Sequence, residues 1–554
     1  MTTNMTRRNL VSVDEAVVEK RADGVSGDRN TPQMLEWLKD AGFGLFIHWS
    51  VDVQLGCVIS HTLVGSSKDY ADRYYTELPK TFNPNRWDAD RVARLAKITG
   101  VQYAVFTTKH HNGFCMWDTK TTPFNVMNTP YGRDIVRQYV DAFRRYDLKV
   151  GFYFSPEDFR FLYDHGLTIT RDPQSAYPPA IMADYRAYLA AQMTELMTMF
   201  GPVDLIFFDG GEKMKDENGE SLQEMCKNLA WDMQPGILVT RGAIQTPEQH
   251  LPGVGMKEAW ESCITLSSAW GYQPTNEIYK SGEQAIRILA NTRALGGSLL
   301  LNIGPDSDGN ISPEQEGRLR EIGLWNFINR EAVIGVRPWI LVSEGSLILL
   351  TDKTGKTLYA VVTDQKDWDR GMRREFVIKS ARATASSRAS VLGASGELTE
   401  YRPDLDAGSR LEQRDDGLHV SVMNAQRVYC GLQWRNPLVI RITDVEPAFA
   451  PMGIMTDADG LTQDGDAVTL HATVLTMGSF EHADVCFQWR KYPGFAMAVY
   501  EDDWQVSDRV TVFSEGGVSV RLGGLEPGVT YQYRAVIEND MNRMQGEKAL
   551  FVKE

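Results

Sequence analysis

The sequence alternates short apolar runs with amphipathic stretches up to residue 329, and this alternation most restricts the possible folds. Strands buried on both faces are predicted by the apolar runs at 42–49, 102–108, 149–154, 203–208, 237–241 and 298–304. Helices are predicted at 32–39, 88–99, 133–146, 183–200, 221–232, 283–293 and 313–329. This order predicts an α/β fold, a (β/α)8-like barrel. No G-x-G-x-x-G motif opens a helix after the first strand, which argues against a dinucleotide-binding fold.

The rest of the chain has a different pattern. Short apolar runs separated by Gly-rich breaks continue to about residue 440 and predict an all-β sandwich. Further on, Trp489 and the run from Leu525 to Tyr531 resemble a fibronectin type III domain, so we expect an immunoglobulin-like β-sandwich at the C-terminus. In 530–535, polar and apolar side chains alternate and predict one polar and one apolar face. The expected organisation is a flexible lead-in at 1–30, the barrel at 31–337, the first sandwich at 338–440 and the second at 441–554.

Composition restricts partners and compartment. The 73 acidic residues exceed the 58 basic ones and give a net charge of -15, which disfavours nucleic acid and anionic membranes as partners. The sequence has no 18-residue apolar stretch, and its first 30 residues lack the apolar region of a signal peptide. Its six cysteines are scattered without a C-x-x-C pair, which predicts free thiols in a reducing compartment. We therefore expect a cytoplasmic protein, of an oligomeric state that the sequence leaves open.

Polar side chains gather at the predicted strand ends. Asp209 directly follows the apolar run 203–208, and Glu248 lies in the loop after the next predicted strand. The neighbouring strand ends carry His48, His110, His111, Tyr153 and Arg241. In a parallel barrel these ends meet at one edge, where active sites lie. Donors, an aromatic wall and two carboxylates suit a polyhydroxylated substrate such as a sugar.

Glycoside hydrolysis is the reaction that needs two carboxylates around an acetal. One carboxylate must be ionised at the reacting carbon, and the other must be protonated to release the leaving oxygen. Asp209, near Arg241 and the histidines, is expected to be held as an anion. Glu248, on a loop, is the better candidate for the acid. The sequence does not give the distance between them.

These residues resemble glycoside hydrolase family 29, the α-L-fucosidases, over roughly residues 33–440. The most specific motifs are Phe46-Ile47-His48-Trp49, the run Thr107 to Phe114, Asp204 to Gly210, Trp270-Gly271-Tyr272 and Leu300 to Pro305. The resemblance implies a retaining, exo-acting α-L-fucosidase that cleaves fucosylated oligosaccharides without a metal or an organic cofactor. It implies Asp209 as nucleophile and a substrate pocket that includes His48, His110, His111, Trp117, Tyr153, Arg241 and Tyr70.

The acid/base has two candidates. Glu248 in Thr246-Pro247-Glu248 matches one pattern of the family, and Glu261 in Trp260-Glu261-Ser262-Cys263 is a nearby carboxylate. Specificity is open as well. Where many relatives have an aspartate after the paired histidines this chain has Asn112, and where many have a Glu-Trp pair in the pocket it has Asp69-Tyr70.

Three other functions stay open at this point. One is a glycosidase of the same fold that acts on a related L-sugar. Another is a metal-dependent hydrolase that uses His48, His110 and His111 as ligands, although the sequence lacks an H-x-H pair. The third is a carbohydrate-binding relative with weak or no catalysis, which the presence of both carboxylates disfavours.

Overall fold

A computed structural model describes residues 29–170, 179–275, 278–394, 404–425, 436–494, 499–500 and 502–554. The N-terminal part is called the α/β unit (residues 29–336). Its described residues form seven strands: β1 (Phe43–Ile47), β2 (Tyr103–Lys109), β3 (Lys149–Phe154), β4 (Leu205–Phe208), β5 (Leu238–Val239), β6 (Glu261–Thr265) and β7 (Ser298–Ile303). Its α-helices are α1 (Pro32–Ala41), α2 (Lys68–Thr81), α3 (Ala89–Thr99), α4 (Ile135–Arg145), α5 (Phe159–Asp164), α6 (Pro179–Met199), α7 (Leu222–Met233), α8 (Gly282–Ala294) and α9 (Pro313–Asn329). All predicted helices in this unit are confirmed to within a few residues.

Local sequence explains where these helices begin and end. A Ser, Thr or Asp side chain accepts a backbone N–H in the first turn of α1 to α5 and α7 to α9, as with Asp88 before α3 and Ser221 before α7. Gly42 and Gly100 end α1 and α3 with φ of 61° and 93°, a conformation that favours glycine. The chain thus turns sharply into β1 and towards β2, which places both strands in the sheet.

The seven strands form one parallel sheet in the order β5-β4-β3-β2-β1-β7-β6. Beyond the edge strand β5, the segment 245–249 runs parallel to β6, with single bridges from Gln245 to Trp260 and from Glu248 to Cys263. The expected strand at 237–241 is shorter than predicted because the chain turns at Gly242, where φ is 103°. The segment around 259–263, to which the sequence assigns no structure, belongs to the fully buried strand β6.

The middle β unit consists of two antiparallel sheets around their own apolar core. One sheet contains β8 (Arg337–Glu344), β9 (Leu347–Thr351), β10 (Leu358–Val362), β12 (Ala381–Val391) and β15 (Leu438–Pro447), and the other contains β11 (Arg373–Ile378), β13 (Arg410–Arg414) and β14 (Gly417–Met423). The predicted boundary at residue 440 is wrong, because it lies inside β15. That strand pairs with β10 and β12 as far as Pro447.

The C-terminal β unit (residues 453–554) has a third apolar core between its sheets. A three-stranded sheet contains β16 (Gly453–Asp464), β17 (Ala467–Thr476) and β21 (Gly516–Leu522). A six-stranded sheet contains β18 (Ala483–Lys491), β19 (Gln505–Val506), β20 (Val510–Val512), β22 (Thr530–Glu538), β23 (Arg543–Gln545) and β24 (Ala549–Val552). The polar face predicted for β22 is buried too: Arg534 is 5% exposed and lies 4.5 Å from the Trp504 ring.

The first two described residues belong to the folded unit, although the sequence assigns them to the lead-in. Asn30 exchanges two hydrogen bonds with the backbone of Val239 in β5, and Arg29 forms an ion pair with Asp232. Residues 1–28 lie outside the described residues. Five cysteines are free thiols as expected, while Cys430 lies outside the described ranges. Within those ranges, no helix has both the length and the apolar character needed to cross a bilayer.

Candidate active site

Asp209 follows the last residue of β4 and lies at the centre of a polar cluster at the carboxyl ends of the strands. One carboxylate oxygen accepts the Tyr153 hydroxyl at 2.6 Å, and the other is 3.1 Å from Nη1 of Arg241. His111 Nε2 is 3.5 Å from the carboxylate. The side chain of Asp209 remains 22% exposed, so the carboxylate can be reached by a substrate.

The surroundings of Asp209 keep it ionised. Burial by itself raises the pKa of this carboxyl group, but His111, the Arg241 guanidinium and the Tyr153 hydrogen bond outweigh burial and hold the pKa well below its usual range. Asp209 is therefore an anion at neutral pH. An ionised carboxylate with one face open is suited to attack an electrophilic carbon.

Arg241 joins the two predicted catalytic carboxylates. Its Nη2 is 2.6 Å from Glu248 Oε2, while Nη1 contacts Asp209. Glu248 lies in the segment that runs beside β6, and its side chain is 27% exposed. The next residue, Gln249, has φ of 56°, and its side chain is bound to Thr265. One guanidinium thus brings together two carboxylates that are 39 positions apart in the sequence.

His48 follows β1 and forms part of the pocket wall with Trp270. The two ring centroids are 4.8 Å apart, and the ring of Tyr153 lies 5.4 Å from that of His48. His48 Nδ1 is 2.6 Å from Asn302 Oδ1, and the same amide donates from Nδ2 to the Trp270 carbonyl. Because a carbonyl only accepts, the amide orientation is fixed, and we assign the His48 proton to Nδ1. His48 Nε2 is then an acceptor.

His110 has the opposite tautomer. Its Nδ1 is 2.6 Å from the Ser60 hydroxyl, which already accepts the Asn112 N–H at 2.9 Å. A buried hydroxyl donates its proton to an acceptor. Among the described residues, the acceptor in contact with the Ser60 hydroxyl is His110 Nδ1. We therefore assign the His110 proton to Nε2, which makes this nitrogen a donor.

Both rings are neutral at pH 7. Burial lowers the pKa of His48 to about 4 and that of His110 well below its usual value. The two centroids are 6.0 Å apart. The pocket therefore offers an acceptor and a donor side by side, which matches a hydroxyl group that accepts one hydrogen bond and donates another.

Glu261 does not lie at this cluster. It is the first residue of β6 and is paired in register with Ser298, the first residue of β7, so it belongs to the opposite edge of the sheet. It is fully buried and accepts a hydrogen bond from the hydroxyl of Tyr103, the first residue of β2. Burial raises the pKa of Glu261 to about 7.

The other two predicted pocket residues have different surroundings. Trp117 is fully buried in the large apolar core of the α/β unit, and its indole N–H donates to Glu195 on α6 at 2.9 Å. Tyr70 lies on α2, and its hydroxyl donates to Thr62. Asp69, next to it, forms an exposed ion pair with Arg73. Trp117 is therefore corrected to a core residue, and the Asp69-Tyr70 pair contacts no catalytic carboxylate.

The sequence missed several residues that support the site. Ser60 and Asn302 bind the histidines, and Trp270, for which the sequence predicts no role, forms part of the pocket wall. Glu157, after β3, lies 3.7 Å from His111, and the His61 ring lies 6.1 Å from the same histidine. The only signal for Glu157 was its position after a predicted strand.

A candidate metal-binding group is present in the same place. One ring nitrogen each of His110 and His111 and one oxygen of Asp209 lie within 4.8 Å of one another. The donors present fit a metal poorly, because the tautomer assigned to His110 places a proton on Nε2 and commits the lone pair of Nδ1 to Ser60.

Comparison with known proteins identifies similar chains. The family profile described as Alpha-L-fucosidase matches residues 14–331. A putative alpha-L-fucosidase of Caenorhabditis elegans is 30% identical over 422 residues, which cover 66% of this chain and 83% of the relative. The solved structure of alpha-L-fucosidase isoenzyme 1 from Paenibacillus thiaminolyticus is 28% identical, has a TM-score of 0.59 and is covered over 99% of its length, against 74% of this chain.

A further similar structure is that of a Bacteroides thetaiotaomicron alpha-L-fucosidase, described as a trapped covalent intermediate in complex with 2-fluoro-fucosyl fluoride. Its TM-score is 0.59, it is 20% identical, and the match covers 75% of this chain and 97% of that one. At this identity the similarity shows the fold.

Proposed function

Because the chain belongs to the alpha-L-fucosidase family and is therefore a glycoside hydrolase, we propose that it is a retaining, exo-acting α-L-fucosidase. Its substrates are oligosaccharides or glycoconjugates with a terminal α-L-fucosyl residue. The observation that supports this most strongly is the ionised Asp209 at a strand end, joined through Arg241 to Glu248. A retaining mechanism needs two carboxylates close together, and a shared guanidinium is compatible with that arrangement.

In the proposed reaction, Asp209 attacks the anomeric carbon while Glu248 gives a proton to the leaving oxygen. The bond to the leaving group breaks as the bond to the carboxylate forms, which gives a covalent glycosyl-enzyme. Glu248 then removes a proton from water, the water attacks the same carbon, and Asp209 leaves as the carboxylate. In the structure Glu248 contacts Arg241, so its side chain must rotate from Arg241 to the leaving oxygen.

The proposed sugar site uses the two neutral histidines. One fucose hydroxyl accepts from His110 Nε2 and donates to His48 Nε2, while the Trp270 ring covers an apolar face of the sugar. Arg241 and Tyr153 keep Asp209 in place. Trp117 binds no sugar in this proposal, since it is fully buried in the core. Tyr70, whose hydroxyl donates to Thr62 in the loop that also carries Ser60, stays a predicted pocket residue.

The acid/base assignment rests on position. Glu248 shares Arg241 with Asp209, whereas Glu261 begins its strand at the opposite edge of the sheet. Glu248→Ala is expected to lose far more activity on natural fucosides than on aryl fucosides with good leaving groups, and azide should restore turnover of the aryl substrates. Equal losses on both substrates without azide rescue would reject Glu248 as the acid/base.

The proposed activity is tested with a panel of aryl α-L-fucosides and fucosylated oligosaccharides. Wild type should release fucose, with the α-anomer appearing first in ¹H NMR spectra, and Asp209→Ala should be inactive. No release by wild type, or β-anomer first, would reject a retaining fucosidase. Activity that a chelator abolishes and a divalent metal restores would favour the metal-dependent alternative.

We also propose finer features of the architecture. The segment 245–249 completes a (β/α)8-like barrel between β5 and β6, supported by its single bridges to β6. The C-terminal β unit is a fibronectin type III-like sandwich, supported by its two antiparallel sheets and by the contact of Trp489 with Tyr531. A cytoplasmic location remains a proposal that rests on composition and the free thiols.

A further inference from the structure

The loop that carries Glu248 has two sets of anchors. On one side it is held by β6: Gln249 N–H donates to the Cys263 carbonyl at 3.0 Å, and the Ser262 hydroxyl donates to the His250 carbonyl at 2.8 Å. On the other side the anchor comes from the C-terminal β unit. Lys548 Nζ donates to the Leu251 carbonyl at 3.1 Å, almost 300 residues away in sequence.

Lys548 is an unusual residue for a buried contact between two units. It is 2% exposed, although a buried ammonium group is costly unless its environment compensates for the lost water. Its acceptor, the Leu251 carbonyl, is three residues after Glu248, and Leu251 itself is 5% exposed. Between them, Gln249 has the positive φ that disfavours any residue with a side chain, so the loop depends on its anchors to keep this shape.

A second contact reaches the neighbouring loop. Val499, from the C-terminal β unit, is 5% exposed and belongs to the apolar core of the α/β unit. The ring of the next residue, Tyr500, has its centroid 5.9 Å from Nζ of Lys280. Lys280 lies at the end of the loop that follows β6 and carries Trp270. Arg490 of β18 donates to the Tyr500 carbonyl at 2.8 Å and fixes this contact to its own sheet. The C-terminal β unit thus supports two loops that carry site residues.

We propose that the C-terminal β unit contributes to catalysis through Lys548, which acts as a positioning residue for Glu248. The proposal rests on the function proposed for Glu248. Lys548 holds the backbone three residues after Glu248 and so fixes the loop from which the Glu248 side chain rotates towards the leaving oxygen. Without it, the nucleophile Asp209 keeps its own contacts, and proton donation is the step that suffers.

The test compares Lys548→Met with Lys553→Met. Lys553 is a matched control, because it is 3% exposed and donates to the Gly465 carbonyl at 2.8 Å within its own unit. Each variant is assayed on an aryl fucoside with a good leaving group and on one with a poor leaving group. For Lys548→Met, kcat/KM for the poor leaving group should fall about 10- to 100-fold, and that for the good one by less than about threefold. Lys553→Met should change kcat/KM for the two fucosides by the same factor. Lys548→Arg should keep kcat/KM for the fucoside with the poor leaving group near that of wild type.

Equal losses on both substrates in Lys548→Met, no loss at all, or the same selective loss in Lys553→Met would overturn the proposal. If Lys548→Met does not fold, Lys548→Gln, whose amide donor is shorter, takes its place and should show the same selective loss, while Lys548→Arg should show none. A wild type without activity on either fucoside would instead reject the proposed function. An active wild type with unselective variants rejects only the role of Lys548.

Discussion

Glu261→Gln distinguishes a structural carboxyl group from a catalytic one. Glutamine has the shape of the neutral carboxyl and cannot ionise. Glu261 is fully buried at the edge of the sheet away from Asp209, and burial raises its pKa from 4.5 to about 7. A carboxyl whose pKa is raised in the folded state costs nothing below the unfolded pKa, and its cost grows as the pH rises through the folded pKa.

The expected magnitude follows from those two values. The difference between 4.5 and about 7 corresponds to about 3 kcal/mol of unfolding free energy, lost as the pH rises from about 4.5 to above 7. For a cooperative unit of roughly 300 residues this is a difference of about 5 °C in Tm. Wild type should therefore lose stability relative to Glu261→Gln over this pH range, which thermal melting at several pH values measures.

The same variant is assayed for activity. Glu261→Gln should keep kcat/KM for natural and aryl fucosides within about twofold of wild type, because an undisturbed active site lies at the other edge of the sheet. A large loss on natural fucosides that azide rescues on aryl fucosides would show that Glu261 is the acid/base. If the Tm difference between wild type and Glu261→Gln does not change with pH, Glu261 does not have the raised pKa of a buried carboxyl group.

Three further substitutions test other contacts. Ser60→Gly removes the hydroxyl partner of His110 but tolerates the positive φ of 62°, so kcat/KM should fall about tenfold and the ¹⁵N NMR shifts of the His110 ring should lose the Nε2–H pattern. Asn112→Asp places a second carboxyl beside buried Asp52, whose pKa burial already raises; Tm should fall at pH 7 and recover at acidic pH, and a pH-independent Tm would contradict this. Trp117→Phe should cost about 1–3 kcal/mol of stability with KM unchanged, and a selective rise in KM would return Trp117 to the pocket.

Much of the fold could be predicted because its signals are local. Apolar runs gave β1 to β4 and β7, and capping residues such as Asp88 and Ser221 marked helix starts. β6 was missed because Glu261, Ser262 and Thr265 are polar, although neighbouring elements bury all of them. The middle unit's end was misplaced because no local signal separates the halves of β15.

The site divides in the same way. Residues at strand ends were predictable, since a parallel sheet brings those ends together. The partners of the histidines were not: Ser60 is 50 positions from His110, and Asn302 is 254 positions from His48. Trp117 was misplaced because an aromatic side chain in a loop packs equally well under a helix. The sequence leaves the role of Glu261 open, because only the bounds of β6 show at which end of the strands this residue lies.

The role of Asp209 as nucleophile is tested most directly by trapping. Glu248→Gln is treated with 2-fluoro-fucosyl fluoride, digested and analysed by peptide mass spectrometry. We predict one fluorofucosyl adduct, formed with loss of fluoride, on the carboxylate of Asp209, and no adduct when Asp209→Asn is also present. An adduct on another residue, or none in an enzyme whose wild type releases fucose, would contradict Asp209 as the nucleophile.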